Sequence, residues 1–260
     1  MSRPVFLILA LLLFSGESFA FDVSGLQPVA PNSIFSTFST ESLPKNKVSA
    51  ELGFEKSKDP DFYRFSLKSA YGISDSMEFN LTVPYVYNFN TTTDGMEDIA
   101  IGFKHRFYDE GKYGPSLAYL INASLNNGRD EFSTHGRYGI GLIVSKRVGP
   151  FKGHVNFFYE RPGTGSLSDE ITFLGGIELS AAHNFKMLGE LLVQKSHFSN
   201  EYDRVEARFG YRIKTSDSIY TTLGIGTDLS RRSPEYRFLI SISYTPPEEK
   251  KEIKKIIEEE

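Results

Sequence analysis

From Met77 to Phe89 the chain reads Met-Glu-Phe-Asn-Leu-Thr-Val-Pro-Tyr-Val-Tyr-Asn-Phe, with an apolar or aromatic residue at every odd position. Side chains alternate between the two faces of a strand, so Met77, Phe79, Leu81, Val83, Tyr85, Tyr87 and Phe89 make one apolar row. Glu78, Asn80 and Thr82 lie on the opposite face. The same alternation returns about a dozen times, through 48–55, 63–71, 99–107, 117–125, 138–144, 155–159, 171–179, 185–193, 205–213, 219–229 and 236–244. A row of this kind is buried either in a protein core or in lipid.

Spacing separates those two options. A soluble sandwich places a strand every ~8 to 12 residues, whereas 48–244 shared among about twelve strands gives roughly sixteen each. Such strands are long enough to cross a bilayer, which takes ~9 to 11 residues at a tilt. Connections at 72–76, 148–151, 181–184 and 214–218 are tight, while those at 88–96, 126–136, 160–170 and 195–203 are longer and more polar. Short turns at one end and longer loops at the other fit an outer-membrane barrel with the longer loops outside. The stretch 108–115 is an exception, a longish connection at the short-turn end. Lipid supplies no hydrogen-bond partners, so a spanning sheet must close on itself. The predicted class is all-β: a transmembrane, antiparallel, up-and-down barrel of about twelve strands. Pro84 lacks an N–H in mid-strand and predicts a local bulge.

The opposite parity marks the lumen. Its candidate lining residues are Arg64, Lys68, Glu78, Asp98, Lys104, Arg106, His154, Glu178, Glu190, Glu206, Arg208, Arg212 and Arg237, with Glu51, Asn80, Asn122, Arg147, Asn156 and Gln194 on the same phase. Both signs are present, so they either pair to fill a narrow barrel or form charged rings along a substrate path. Gly102, Gly139, Gly141, Gly176, Gly210 and Gly224 share that parity and either seat bulky neighbours or open a passage. Aromatic residues gather at segment ends, among them Tyr63, Tyr71, Tyr87, Phe107, Tyr138, Tyr211 and Tyr244, as interfacial girdles would require.

The termini and composition complete the outline. Arg3, the apolar run 5–14 and Ser18-Phe19-Ala20 follow the order of a secretory signal peptide, expected to occupy residues 1–20. Residues 21–46 are too polar and proline-rich for a strand and lie either in the lumen as a plug or in the periplasm. The barrel is expected over 47–245, and 246–260 is a charged tail whose Ile253, Ile256 and Ile257 fit a short periplasmic helix. The chain has no cysteine, hence no disulfide and no lipidated cysteine, and its net charge of -4 argues against a nucleic-acid partner. Partners predicted instead are outer-membrane lipid, the barrel assembly machinery, a small-molecule solute and a periplasmic partner for the tail.

Gly95-Met96-Glu97-Asp98-Ile99-Ala100-Ile101-Gly102-Phe103-Lys104-His105-Arg106-Phe107 resembles a Gly-x-x-Asp-x-x-x-Gly-x-Lys-x-Arg-Phe strand. That strand belongs to a family of Gram-negative outer-membrane barrels named for meta-pathway phenol degradation or for transport. Similar stretches are 144–149, 187–191, the closing 237–244 and the opening 38–55. The resemblance implies a porin-like barrel that moves small molecules, with aromatic or hydrophobic compounds suggested by the family's label. No cofactor, metal site or catalytic set is predicted. The sequence around His135 offers no serine at a useful offset, and Gly163-Thr164-Gly165-Ser166-Leu167 lacks the glycine that a nucleophile elbow needs after its serine. A closed structural or surface-binding barrel is the alternative to a channel, and a lipid-modifying enzyme is the third.

Overall fold

Strands of nine to thirteen residues form the wall of the molecule, in a computed structural model that describes residues 23–89, 91–197, 202–230 and 235–247. After two short strands, β1 (Ser33–Ile34) and β2 (Thr37–Phe38), come β3 (Val48–Lys58), β4 (Phe62–Ser74), β5 (Met77–Phe89), the short β6 (Thr93–Met96), β7 (Ala100–Tyr108) and β8 (Ser116–Ser124). The rest are β9 (Arg137–Val148), β10 (Phe151–Pro162), β11 (Glu170–Ala182), β12 (Phe185–Lys195), β13 (Arg204–Lys214), β14 (Ile219–Asp228) and β15 (Tyr236–Tyr244). Every long strand pairs antiparallel with its neighbours in sequence, and β15 pairs with β3. Pairing of β4 with β5, from Tyr63↔Tyr87 to Ser74↔Met77, completes a closed barrel of twelve strands with β6 added beside β5. No strand edge of the barrel is left unpaired around its circumference, as a bilayer demands.

The two phases of each strand face different media. Leu52, Ile140, Val155, Phe209 and Ile242 are each more than half exposed on the outside. Left in water, each would forfeit about 1.5–3 kcal/mol of transfer free energy, so this band requires lipid. Tyr63, Tyr87, Tyr138, Tyr159 and Tyr236 ring the exterior at one end, and Tyr71, Phe107, Tyr211 and Tyr244 at the other. Two-residue turns at 75–76, 149–150 and 183–184 define the turn end, and the connections at 125–136, 163–169 and 196–203 define the loop end. The longer connection 109–115 at the turn end is fastened by Lys146, whose Nζ donates to the carbonyls of Gly111 (2.7 Å) and Gly114 (3.1 Å) and pairs with Glu110 (3.2 Å).

Pro84 sits where β5 changes partner. Toward β4 it is in regular register with Ser66, but toward β7 the ladder stops at Thr82↔Ala100 and resumes on β6 at Tyr85↔Met96. The backbone of 97–99 bulges across that gap, and Glu97 N donates to the Pro84 carbonyl (3.1 Å). The N and C=O of a strand residue point to the same side, so the missing donor falls in the interruption rather than in a rung. One residue of the opening row departs from it. Asn88 has φ 61° and the register to β6 shifts there, which turns Phe89 inward onto Phe62 and Phe132. The expected signal segment 1–20 and the tail from 248 lie outside the described residues.

Candidate functional site in the barrel lumen

Inside the barrel the wall is divided into a charged side and an apolar side. Strands β13, β15, β3 and β4 carry a linked network in which Glu206 meets Arg204 (2.7 Å), Arg208 (2.6 Å) and Arg237 (3.2 Å). Arg237 also pairs with Glu55, which accepts from Arg64 (3.2 Å), and Arg64 reaches Glu97 (2.6 Å). Lys68 pairs with Glu51 (2.9 Å), Lys104 with Glu78 (3.1 Å), Lys186 with Glu178 (2.8 Å) and Arg208 with Glu190 (3.1 Å). Arg212 differs: its Nε donates to Thr222 Oγ1 (3.0 Å) and Nη1 to the Pro31 carbonyl (2.8 Å), and it meets no carboxylate among the described residues. Across the lumen Ala118, Leu120, Ile143, Phe158, Leu174 and Leu192 form a buried apolar patch.

Residues 23–45 run through this space. From the start of β3 at the turn end the segment crosses the opening, folds into the β1–β2 hairpin at mid-height, returns to the turn end at Ala30, whose carbonyl accepts from Thr245 Oγ1 (3.1 Å), and then climbs to the loop end at Val23. It is held both by side chains, with Val23, Leu26, Val29, Phe38 and Leu43 in apolar clusters on the wall, and by its backbone, whose amides wall carboxylates take. Glu190 accepts from Ser36 N (2.9 Å), Thr37 N (2.8 Å) and Thr37 Oγ1 (2.7 Å), Glu51 from Ala30 N (2.9 Å), Glu78 from Leu43 N (2.8 Å) and Glu97 from Ser24 N (2.6 Å). Asn156 treats Phe38 as a strand neighbour would, accepting its N–H (2.7 Å) and donating to its carbonyl (2.9 Å). Hydrogen bonds to charged groups contribute roughly 1.5–3 kcal/mol each, so the set is strong in sum yet built from individually breakable contacts.

Four of the six inward glycines, Gly102, Gly176, Gly210 and Gly224, are seats for this segment, while Gly139 and Gly141 make room for the wall side chains Glu160 and Phe158. A Cβ on Gly102 would fall 2.3 Å from Leu26, and one on Gly224 would fall 2.4 Å from the Phe35 ring. Phe35 itself is held at φ 28°, a left-handed conformation that costs a non-glycine residue on the order of 1–3 kcal/mol. What remains open is a void of about 140 Å³ between the segment and the wall.

No protein-family model and no curated protein matches the chain. Solved structures do match in shape. An outer membrane channel of the COG4313 group from Pseudomonas putida F1 superposes with a TM-score of 0.61 at 10% identity, over 80% of this chain and 98% of that one. The KdgM porin gives 0.57 at 12% identity over 75% and 98%, and the NanC porin 0.56 at 10% over 76% and 98%. The fold is that of an outer-membrane porin-like barrel.

Two of the residues expected along the lumen of this barrel lie at its ends. Arg106 is at the rim of the turn end, paired with Asp109 (2.7 Å) and donating to the Asp75 carbonyl (3.1 Å). Asp98 clamps the 125–136 loop, accepting from Gly128 N (3.0 Å), Ser133 Oγ (2.8 Å), Thr134 N (2.9 Å) and Thr134 Oγ1 (3.1 Å). Burial alone would raise its carboxyl pKa, but the bonds from Ser133, Thr134, Gly128 and Gly136 outweigh it and hold the group below the ordinary value. Arg147, on the same phase, is exposed beyond the end of the lumen. Arg64, Lys68, Glu78, Lys104, Glu178, Glu190, Glu206, Arg208, Arg212 and Arg237 all face inward, as does His154, whose Nδ1 lies 2.8 Å from Ser145 Oγ. That serine and histidine border neither of the two cavities described.

A cluster at the loop end has no counterpart among the predicted residues. Arg137 Nη1 lies 3.0 Å from Glu160, 3.6 Å from Glu170 and 3.1 Å from His197 Nε2, while His197 Nδ1 is 2.9 Å from the Ser168 carbonyl. Glu160, Glu170 and His197 could converge on a metal ion, but the Arg137 guanidinium already occupies the position a cation would take. Burial, and next the Arg137 charge, press the His197 pKa down to about 4, so the ring is neutral in the folded chain and ties the 163–169 and 196–203 loops together. Its contribution is fully present above the ordinary histidine value of 6.5 and is lost as pH falls toward 4; Asp98 acts in the same direction at lower pH. Hydrogen exchange at 168–170 and 195–197 should therefore quicken several-fold between pH 6.5 and 4, beyond the intrinsic pH dependence. The His197→Gln variant should show a flat response over that interval.

Proposed function

We propose that this chain is an outer-membrane channel for small molecules, closed at rest by its own residues 23–45. The observation that carries this reading is the way the segment is bound: wall carboxylates and Asn156 hold its backbone across a lumen that keeps an open void. Its apolar side chains pack on the wall in patches and a void stays open beside them, so the segment can leave as a unit once its carboxylate contacts are exchanged for water. The longer loops then face the exterior, the turn end faces the periplasm, and residues 1–20 direct export. The apolar patch on β8 to β12 supports passage of small compounds with hydrophobic or aromatic bodies. The KdgM porin has been seen with oligogalacturonate, so barrels of this shape admit organic solutes.

Two measurements test the proposal on the full mature chain. Unboiled samples should migrate differently from boiled ones on a denaturing gel, because a closed barrel resists detergent unfolding; identical mobility would count against the barrel in the membrane. In planar bilayers the chain should show discrete openings separated by long closures. Silence at every voltage would favour a closed structural barrel, the reading that the filled lumen also supports.

A further inference from the structure

We infer that the lumen void is a binding site for a small amphipathic organic anion, a monocarboxylate on an apolar body of about six carbons. This deepens the channel reading by naming the class of solute, and it rests on three features of the void. Its volume, about 140 Å³, is close to the roughly 150 Å³ of a protein cavity that accommodates benzene. One side is apolar, formed by Phe158, Leu174 and Leu192 of the wall with Leu26 and Phe38 of the segment. The Phe38 ring already packs edge-on against Phe158 at 5.8 Å, so this surface accepts a ring.

The other side is charged. Arg64, Arg137, Arg204, Arg208, Arg212 and Arg237 border the void, together with Lys68. Glu51, Glu55, Glu160 and Glu170 border it with the opposite sign, and Glu97, Glu190 and Glu206 contact the lining arginines. Six of the seven cations are held by carboxylates, so the capacity to take a further anion falls to the seventh, Arg212. Arg212, which meets no carboxylate among the described residues, supplies guanidinium N–H groups suited to bidentate capture of a carboxylate. Asn122, which borders the same void, has a buried Oδ1 acceptor with no partner among the described residues. It would receive a hydroxyl on the ligand's body.

Titration calorimetry on the folded, full mature chain in detergent decides the matter with four probes. Cyclohexanecarboxylate should bind at least about tenfold more tightly than acetate, which lacks the body. It should bind with a similar margin over cyclohexylmethanol, which lacks the charge, and over cyclohexylmethylamine, which reverses it. An amine that binds as well as the acid, or acetate that binds as well, would overturn the inference. The Arg212→Gln variant, checked for unchanged gel mobility, should lose the margin of acid over alcohol while keeping alcohol binding. Conductance without carboxylate binding would leave the channel standing and remove this site, and binding without conductance would do the reverse.

Discussion

Oxidation of a Thr37→Cys, Gly176→Cys double variant should suppress the openings of the proposed channel, and reduction should restore them. The geometry for this bond is already present: a Cβ on Gly176 would lie 3.2 Å from both Cγ2 and Oγ1 of Thr37, which places two cysteine Cβ atoms close to the ~3.8 Å typical of a disulfide. No other cysteine exists in the chain, so a wrong pairing within one molecule cannot form. Thr37 is also the residue most firmly held by Glu190, so the bond fastens the segment where it already rests. The expected record is a fall in open probability of at least about tenfold on oxidation and full recovery with a thiol reductant. Either single variant should respond to neither reagent. Current that persists in the oxidised protein would mean that ions pass beside residues 23–45, and the segment would no longer be the gate.

How much of this was legible in the sequence follows from where each signal is strong. Mid-strand alternation is governed by a period of two that nothing interrupts, so the phase from Met77 to Tyr87 transfers directly to the wall, and strand spacing gave the number of staves. The phase fails where backbone leaves the extended region: Asn88, at φ 61°, reverses Phe89, and no composition cue distinguishes that asparagine from its neighbours. Strand ends were also hard to read. Arg137, Glu170 and Arg204 are the first residues of β9, β11 and β13 and Glu160 lies two residues before the end of β10, where a polar residue reads equally well as loop. The apolar patch had a visible signal, since Ser116–Ser124 is apolar on both phases around Leu120, but a barrel interior is expected to be polar and the second phase carries no label. Residues 23–45 have no periodicity because the contacts that order them belong to the wall. Their glycine seats, from Gly102 to Gly224, are spread across strands far apart in sequence.

A valine at position 224 should hold the channel open. Gly224 lies on β14 beneath the tip of the β1–β2 hairpin, and a Cβ there would come within 2.4 and 2.7 Å of two atoms of the Phe35 ring. The ring cannot retreat by rotating alone, because Gly210 also sits against it, with a Cβ there 2.9 Å from Phe35 Cζ. Overpacking of this kind costs about 1–3 kcal/mol, equivalent to a roughly 5- to 150-fold shift between seated and unseated segment. The barrel should be unaffected, since β14 keeps its ladder to β13 and β15 and valine suits an extended strand. Open probability in bilayers should rise by that factor with gel mobility unchanged. A Gly175→Val control, where an added Cβ meets nothing within 4 Å, should gate like the wild type. Replacing Phe35 by glycine in the Gly224→Val background removes the clashing ring and relieves the left-handed φ, so closure should return. A Gly224→Val chain that stays closed, or one whose openings survive the Phe35→Gly change, would show that the hairpin tip does not set the gate.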